Sequence, residues 1–260
     1  MRHLTLQSIK IVLYINHEIG YNMKVKQNYP LISCICISQN RPQQLLRAIV
    51  NFEQQSYPNK ELVVSYPSHD LDTKKLMDRI LKISHLKIVI LCRESHGSLG
   101  RIRNQAVAAA HGSYICTWDD DDWYHPERLK HQMALLQNSK LIYQACVLRE
   151  IILYDRNHKT AFLSAAYNWS GTLLCKKDVM IQYPYQDTNR LEDSPLIEHL
   201  ETQKLLLPIK GSYYLYVYIY HGNNVIDDIH FKYFTRNSPQ LDLKTTQNII
   251  QNVEASYEIN

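Results

Sequence analysis

The chain has 260 residues, 45% of them hydrophobic and 21% charged, with a formal net charge of +4. That length and apolar content sustain one substantial core, so one domain with a C-terminal elaboration is expected rather than two equal domains. Lys and Arg are scattered instead of forming a basic stripe interleaved with aromatics, which excludes a nucleic-acid partner, and six cysteines without a C-x-x-C pair exclude a disulfide scaffold or a structural zinc site.

Residues 1–29 show no clear period and lead to Pro30, so they are read as an N-terminal extension, with Met23 as an alternative start. The apolar stretch at 11–15 is too short for a signal-peptide core, and no run approaches the roughly 18 to 20 residues of a membrane span. The expectation is a cytoplasmic protein, with peripheral association at the inner face of a membrane as its closest approach to lipid. From residue 31 the pattern alternates: a strand over 31–38, a helix over 42–55 with Leu45, Leu46, Ile49 and Val50 on one face, and a strand over 62–65. A helix over 72–84 (Leu76, Ile80, Ile83), a strand over 87–92, an Ala-rich helix over 99–110 and a strand over 113–118 follow. This rhythm predicts an α/β fold with a mostly parallel sheet and helices on both faces, whose ligands sit at the carboxyl ends of strands. Cys34, Cys36, Cys92, Cys116 and Cys175 lie in its apolar runs and are expected to be buried and reduced.

Four consecutive carboxylates, Asp119 to Asp122, end the strand over 113–118 and run straight into Trp123, Tyr124, His125 and Pro126. Pressed between aromatics, four like charges are costly without a counter-cation, so a divalent metal is expected. On an extended chain Asp119 and Asp121 would share one side. An EF-hand loop starting at Asp119 would need Gly and Glu where Tyr124 and Lys130 stand, and it fails. Capping of the helix that begins near Pro126 and runs to 138 accounts for Asp122 alone. Beyond 138 the pattern loosens: strand candidates at 141–153, 170–175 and 213–220, a helix from Pro195 with Ser194 as N-cap, and a closing helix over 243–257. The domain is bounded at 30–235, with 236–260 as a helical tail. No Walker A loop and no G-x-G-x-x-G occur.

Four segments, "PLISCICISQNR" from Pro30, "SLGRIRNQAVAAAHGSYICTWDDDDWYHPERL" from Ser98, "RLEDSPLIEHL" from Arg190 and "YIYHGNN" from Tyr218, resemble glycosyltransferase family 2, whose members have the GT-A fold. The resemblance implies an inverting transfer from a nucleotide-diphosphate sugar, a UDP-sugar by expectation, to a hydroxyl of a glycan or lipid-linked glycan in cell-surface polysaccharide synthesis, with Mn2+ or Mg2+ as cofactor. Carried over by position, Asp121 is a metal ligand with Asp119 beside it, and Asp120 touches the ribose. Ser38, Asn40, Arg41, Tyr66, Asp70, Arg103 and Asn104 belong to the donor side. Asp193 is the general base, and Glu192, its neighbour in the catalytic step, orients the acceptor or stabilises the loop. Many relatives place acids where Ser65 and Tyr66 stand, so Tyr66 is expected to stack on the base instead. His221, ahead of a turn-forming Gly222–Asn224 run, is read either as a ligand to metal or diphosphate or as a structural histidine. Trp169 and Trp123 are expected to offer aromatic faces to the acceptor, with core packing as the other reading of Trp169. A sugar nucleotidyltransferase lacks its glycine-rich loop here, and a catalytically silent carbohydrate- or nucleotide-binding protein would not need both Asp121 and Asp193.

Overall fold

The computed structural model describes residues 29–94, 97–139, 142–222, 224 and 228–255; the expected extension, save Tyr29, lies outside them. The chain runs β1 (Ile32–Ile37), α1 (Pro42–Glu53), β2 (Lys60–Pro67), α2 (Leu71–Ile83), β3 (Ile88–Arg93), α3 (Leu99–Ala109) and β4 (Tyr114–Thr117). Each helix has a local reason to start where it does. Pro42 opens α1, which buries Leu45, Ala48, Ile49 and Phe52 at helical spacing. The Asp70 carboxylate accepts from Thr73 N to cap α2, and Ser98 Oγ accepts from Arg101 N to cap α3. β1 and β2 are buried almost end to end because helices cover both of their faces.

After the acidic turn come β5 (Trp123–Tyr124), α4 (Arg128–Asn138), β6 (Ala145–Leu148), β7 (Ile152–Asp155), β8 (Thr160–Leu163), β9 (Leu174–Lys176), α5 (Lys177–Gln182), α6 (Ser194–Thr202), β10 (Leu206–Ile209), β11 (Tyr216–Tyr220), α7 (Asp228–Thr235) and α8 (Leu243–Ala255). Seven strands form one sheet in the order β10-β6-β9-β4-β1-β2-β3, and four form a second, β5-β11-β7-β8. In the first sheet β3, β2, β1 and β4 are mutually parallel, and β9 runs antiparallel between β4 and β6. The chain leaves β1 towards β2 and β3, then returns to place β4 on the other side of β1. That reversal opens a crevice at the carboxyl ends of β1 and β4.

Several expectations are corrected. The apolar run at 141–153 is not one strand: β6 belongs to the first sheet and β7 to the second. The stretches 170–175 and 213–220 each begin with a 3-10 turn, Ser170–Thr172 and Tyr213–Leu215, before turning extended. Asp193, not Ser194, holds the N-cap position of α6. Cys92 is exposed, because β3 is an edge strand, while the other five cysteines are buried and all six are free. The closing helix α8 packs Ile249 and Val253 on the second sheet against Ile152, Tyr154 and Val217. Among the described residues no helix is long and apolar enough to cross a membrane.

Candidate active site

The acidic turn carries the chain from β4 in the first sheet to β5 in the second. Trp118 and Tyr124 stack at its two ends, 3.9 Å between centroids, and Trp118 Nε1 donates to Ala48 O of α1. The acids are not on an extended strand end as the sequence suggests, because Asp120 and Asp121 turn. Each carboxylate therefore has its own set of partners, with Arg41 shared between Asp120 and Asp121. Asp119 accepts from Arg103 Nη2 at 3.1 Å. Asp120, buried, accepts from Ser38 Oγ at 2.6 Å and lies 3.5 Å from Arg41 Nη1. Asp121 accepts from Arg41 Nη1 at 3.0 Å and meets His221 Nε2 at 3.3 Å. Asp122, fully buried, accepts from the Tyr216 hydroxyl and from Ile219 N, which ties β5 to β11. Asp122 is therefore no helix cap; Glu127 occupies the N-cap position of α4.

Burial sets the electrostatics of the turn. It pushes the Asp120 carboxyl up to about 7, helped by the neighbouring Asp121 charge and opposed by Arg41 and Ser38. Burial also raises Asp119, against the pull of Arg103, and lifts Asp122 well above the carboxylate range. For Asp121 burial works upward too, but the His221 hydrogen bond and the Arg41 charge outweigh it and hold this carboxyl below its usual value. Asp121 is thus the member of the cluster best kept ionised. Two buried cations, Arg128 and Arg47, and the partly buried Arg103 counter the rest. Arg128, 0% exposed, sits against the faces of Tyr124, Trp118 and Tyr216 and donates to Thr117 O and Gly171 O. Arg47 donates to Asp121 O at 3.3 Å. Arg103 serves Asp119.

The opposite wall of the crevice is the segment that leads into α6. Glu192 is buried, 3.3 Å from Arg103 Nη1, and burial raises its carboxyl against that pull. Asp193 is half-buried and its carboxylate makes no cap hydrogen bond to α6. This segment grips the start of α3: Leu99 N donates to Asn189 Oδ1 and Gly100 N to Thr188 O, both at 3.0 Å. The backbone donors Leu99 N and Gly100 N in the first turn of α3 are spent on this contact. Asn104 is likewise corrected, since its amide donates to Tyr185 O and accepts from Tyr185 N. Both terminal nitrogens of Arg103 are committed to acids, and Arg101 is exposed.

The remaining expectations divide. Ser38, Asn40, Arg41 and His221 do converge on the acidic turn or its rim. Asn40 adopts φ 54°, a left-handed conformation that Asn tolerates, and its N–H donates to Asp70 Oδ2 at 2.5 Å. Asp70 therefore uses both oxygens inside the protein, one on Asn40 and one on the α2 cap. Tyr66 is only 4% exposed and packs in the core with Val64 and Met77, so it offers no face for base stacking. Ser65, its neighbour, accepts from Arg93 Nη1, and Arg93 reaches on to Ser38 O. Trp123 points away from the acids: in β5 it is Tyr124 that faces Asp119, while Trp123 packs with the α8 cluster. Trp169 is buried against Phe234 and Tyr167, so core packing, the other reading of this residue, describes its surroundings. Sequence reasoning missed Arg128 and Tyr216. The Pro-Glu-Arg step after the acids was the available signal for Arg128; nothing in sequence pairs Tyr216 with Asp122. Among the described residues no group of three or more His, Cys, Asp or Glu side chains is gathered to hold a metal ion.

A family model described as glycosyl transferase family 2 matches residues 33–190. The glycosyl transferase WcaA of Escherichia coli (strain K12), named for colanic acid biosynthesis, is 32% identical over 110 residues, 42% of this chain and 38% of WcaA. AmsB of Erwinia amylovora, named as an amylovoran biosynthesis glycosyltransferase, is 24% identical over 107 residues, 40% of this chain and 35% of AmsB. The matched region thus spans less than half the length of these relatives. Among solved structures, S. aureus TarS 1-349 in complex with UDP-GlcNAc superposes with a TM-score of 0.59 at 14% identity, covering 86% of this chain and 66% of that one. The mannosyltransferase PcManGT from Pyrobaculum calidifontis, in complex with GDP-Man and Mn2+, superposes with a TM-score of 0.57 at 11% identity, covering 90% of this chain and 71% of that one. At such identities the likeness is one of fold, and that fold is GT-A.

Proposed function

The chain belongs to glycosyl transferase family 2 and is a glycosyltransferase, and from that premise we propose an inverting, metal-dependent transfer of a sugar from a nucleoside-diphosphate donor, UDP-linked, to a hydroxyl of a glycan or lipid-linked glycan. The observation that carries the reading is the meeting, on one turn, of Asp121 held ionised by Arg41 and His221 with an Arg103 that also reaches the Glu192–Asp193 step. Asp121 Oδ2 and His221 Nε2 are an oxygen and a nitrogen donor on one side of the crevice, a set that would suit Mn2+ better than the oxygen-seeking Mg2+ when diphosphate oxygens and water complete the shell. A divalent ion there supplies charge for the departing diphosphate.

The chain's own residues do the rest. Arg41, with Asp121 neutralised, is placed to meet the diphosphate, and Ser38 fixes Asp120 at the mouth of β1. Asp193 takes the proton of the acceptor hydroxyl as its oxygen bonds to the anomeric carbon and the bond from that carbon to the diphosphate breaks on the opposite face. The nucleoside diphosphate leaves, and the configuration inverts. The names of WcaA and AmsB favour an acceptor in polysaccharide synthesis, and such a substrate favours work at the cytoplasmic face of a membrane. The test is a panel of UDP- and GDP-sugars with and without Mn2+, read by melting temperature and by release of free nucleoside diphosphate. Donor-specific, Mn2+-dependent stabilisation with nucleotide release is expected. Indifference to every donor in the presence of Mn2+ would remove the reading.

A further inference from the structure

We propose that Arg103 is a positioning residue that registers the Glu192–Asp193 segment against the donor-side acid Asp119, with α3 as the rigid body through which the two are held. The inference rests on Asp193 and Asp119 acting as proposed above, but its geometry stands on its own. One guanidinium spans two elements far apart in sequence: Nη2 lies 3.1 Å from Asp119 Oδ1 and Nη1 lies 3.3 Å from Glu192 Oε1. Its side chain is 12% exposed and lies over the Tyr185 ring, 5.5 Å from the centroid, so little slack remains. A planar fork can serve two carboxylates at once, whereas an ammonium is a single point of charge.

The same helix holds the segment at two further heights. Asn104, one residue on, pairs both backbone groups of Tyr185, and the first turn of α3 binds Thr188 and Asn189. The Ser98 hydroxyl donates to Asp187. The segment closes on itself through Gln186 N to Glu192 O at 2.9 Å. Leu191, immediately before the two acids, adopts φ 56° while 68% exposed. A branched side chain holds a left-handed backbone only where its surroundings impose it. The grip of α3 is that imposition, and among the described residues Arg103 is its charged contact reaching from the donor acids to Glu192.

The test uses the full chain with Arg103→Gln, Arg103→Lys and Asn104→Ala. Without any ligand, amide exchange over 186–193 is expected to quicken at least about tenfold in Arg103→Gln, with α2 unchanged, as for a locally released segment. Arg103→Lys is expected not to restore it. In transfer assays with saturating acceptor, kcat falls while donor affinity stays within about threefold, the split expected for loss of positioning rather than of binding. Asn104→Ala touches neither Asp119 nor Glu192 and is expected to reproduce both effects; it also carries the test should Arg103→Gln fail to fold. Wild-type exchange over 186–193 in the variants overturns the proposal, and so does weakened donor binding with an unchanged kcat. A wild-type protein that transfers no sugar, together with quickened exchange in the variants, supports the link and removes the transferase reading instead.

Discussion

Replacing Gly100 by Ala sets two known effects against each other. Gly100 lies in the first turn of α3, and on helix propensity alone Ala would stabilise by up to about 1 kcal/mol. A Cβ built there, however, lies 1.7 Å from Gln186 O and 2.8 Å from Gln186 C, both backbone atoms, and 3.1 Å from Glu192 Cβ. Backbone cannot rotate away, so the 186–189 segment has to lift. Lifting it breaks the bonds from Gly100 N to Thr188 O and from Leu99 N to Asn189 Oδ1 and disturbs Ser98 with Asp187. Two to three hydrogen bonds at about 1 kcal/mol each, less the propensity gain, leave a net loss of about 1 to 2 kcal/mol. For a domain of this size that corresponds to a fall in melting temperature of about 2 to 8 °C. Thermal unfolding followed by far-UV circular dichroism, with urea titration as the second measure, reads this directly. A variant equal to or more stable than wild type would show that propensity wins and that the close approach of Gln186 to Gly100 is not part of the native structure.

Asp193→Asn is expected to keep near-normal stability and donor affinity while turnover with saturating substrates falls at least about a hundredfold, the scale of a lost general base; near-wild-type turnover would end that assignment. Asp121→Asn removes the carboxylate that Arg41 and His221 hold ionised, and isothermal titration is expected to show loss of Mn2+-dependent nucleoside diphosphate binding, whereas His221→Ala weakens it less. Glu61, away from the site, accepts from Ser33 Oγ and His111 N, both at 2.6 Å. Burial works to raise its carboxyl, but those bonds hold it below its usual value. A folded value below the unfolded one gives a contribution that is full above about pH 4.3 and lost as pH falls through the folded value. Melting temperatures of wild type and Glu61→Gln are therefore expected to differ at pH 7 and to converge as pH falls through the folded value, and a gap that stays constant down the acid limb would refute the linkage.

The alternation from β1 to β4 was legible because each apolar face repeats at the period of its element; the caps at Asp70 and Ser98 are equally local, but sequence reasoning missed them and reads Asp70 as a donor contact. What sequence could not carry is partnership across space. Arg103 and Glu192 are 89 residues apart, and no local rule joins them, so Arg103 reads as a ligand contact when its two nitrogens are already taken. The stretch 141–153 is apolar enough to pass for one strand, and only Arg149 and Glu150 mark where the chain changes sheets. Aromatic residues misled for a related reason. Tyr66, Trp123 and Trp169 look like ligand platforms in one dimension, but strand alternation turns Tyr66 into the Val64 face, Trp123 away from Tyr124, and Phe234 closes over Trp169. The acid cluster itself was read for its charge, while its backbone turn, which gives the four carboxylates separate surroundings with Arg41 shared by two of them, is spanned by the Trp118–Tyr124 stack.

The two margins of the larger sheet differ in what they invite. β10 ends one side with Pro208 exposed in its middle, and a residue without an N–H cannot continue a ladder outward. β3 ends the other with Ile88, Val89, Ile90 and Leu91 half-exposed, Cys92 exposed, and, among the described residues, no strand on its outer side. Only one margin is thus guarded against strand addition. If concentrated protein self-associates, it is the β3 side that would recruit a neighbour's backbone, and a charged side chain at the exposed Cys92, rather than at Ile90, which packs on the core, would be the economical way to keep preparations monodisperse without touching the acidic turn.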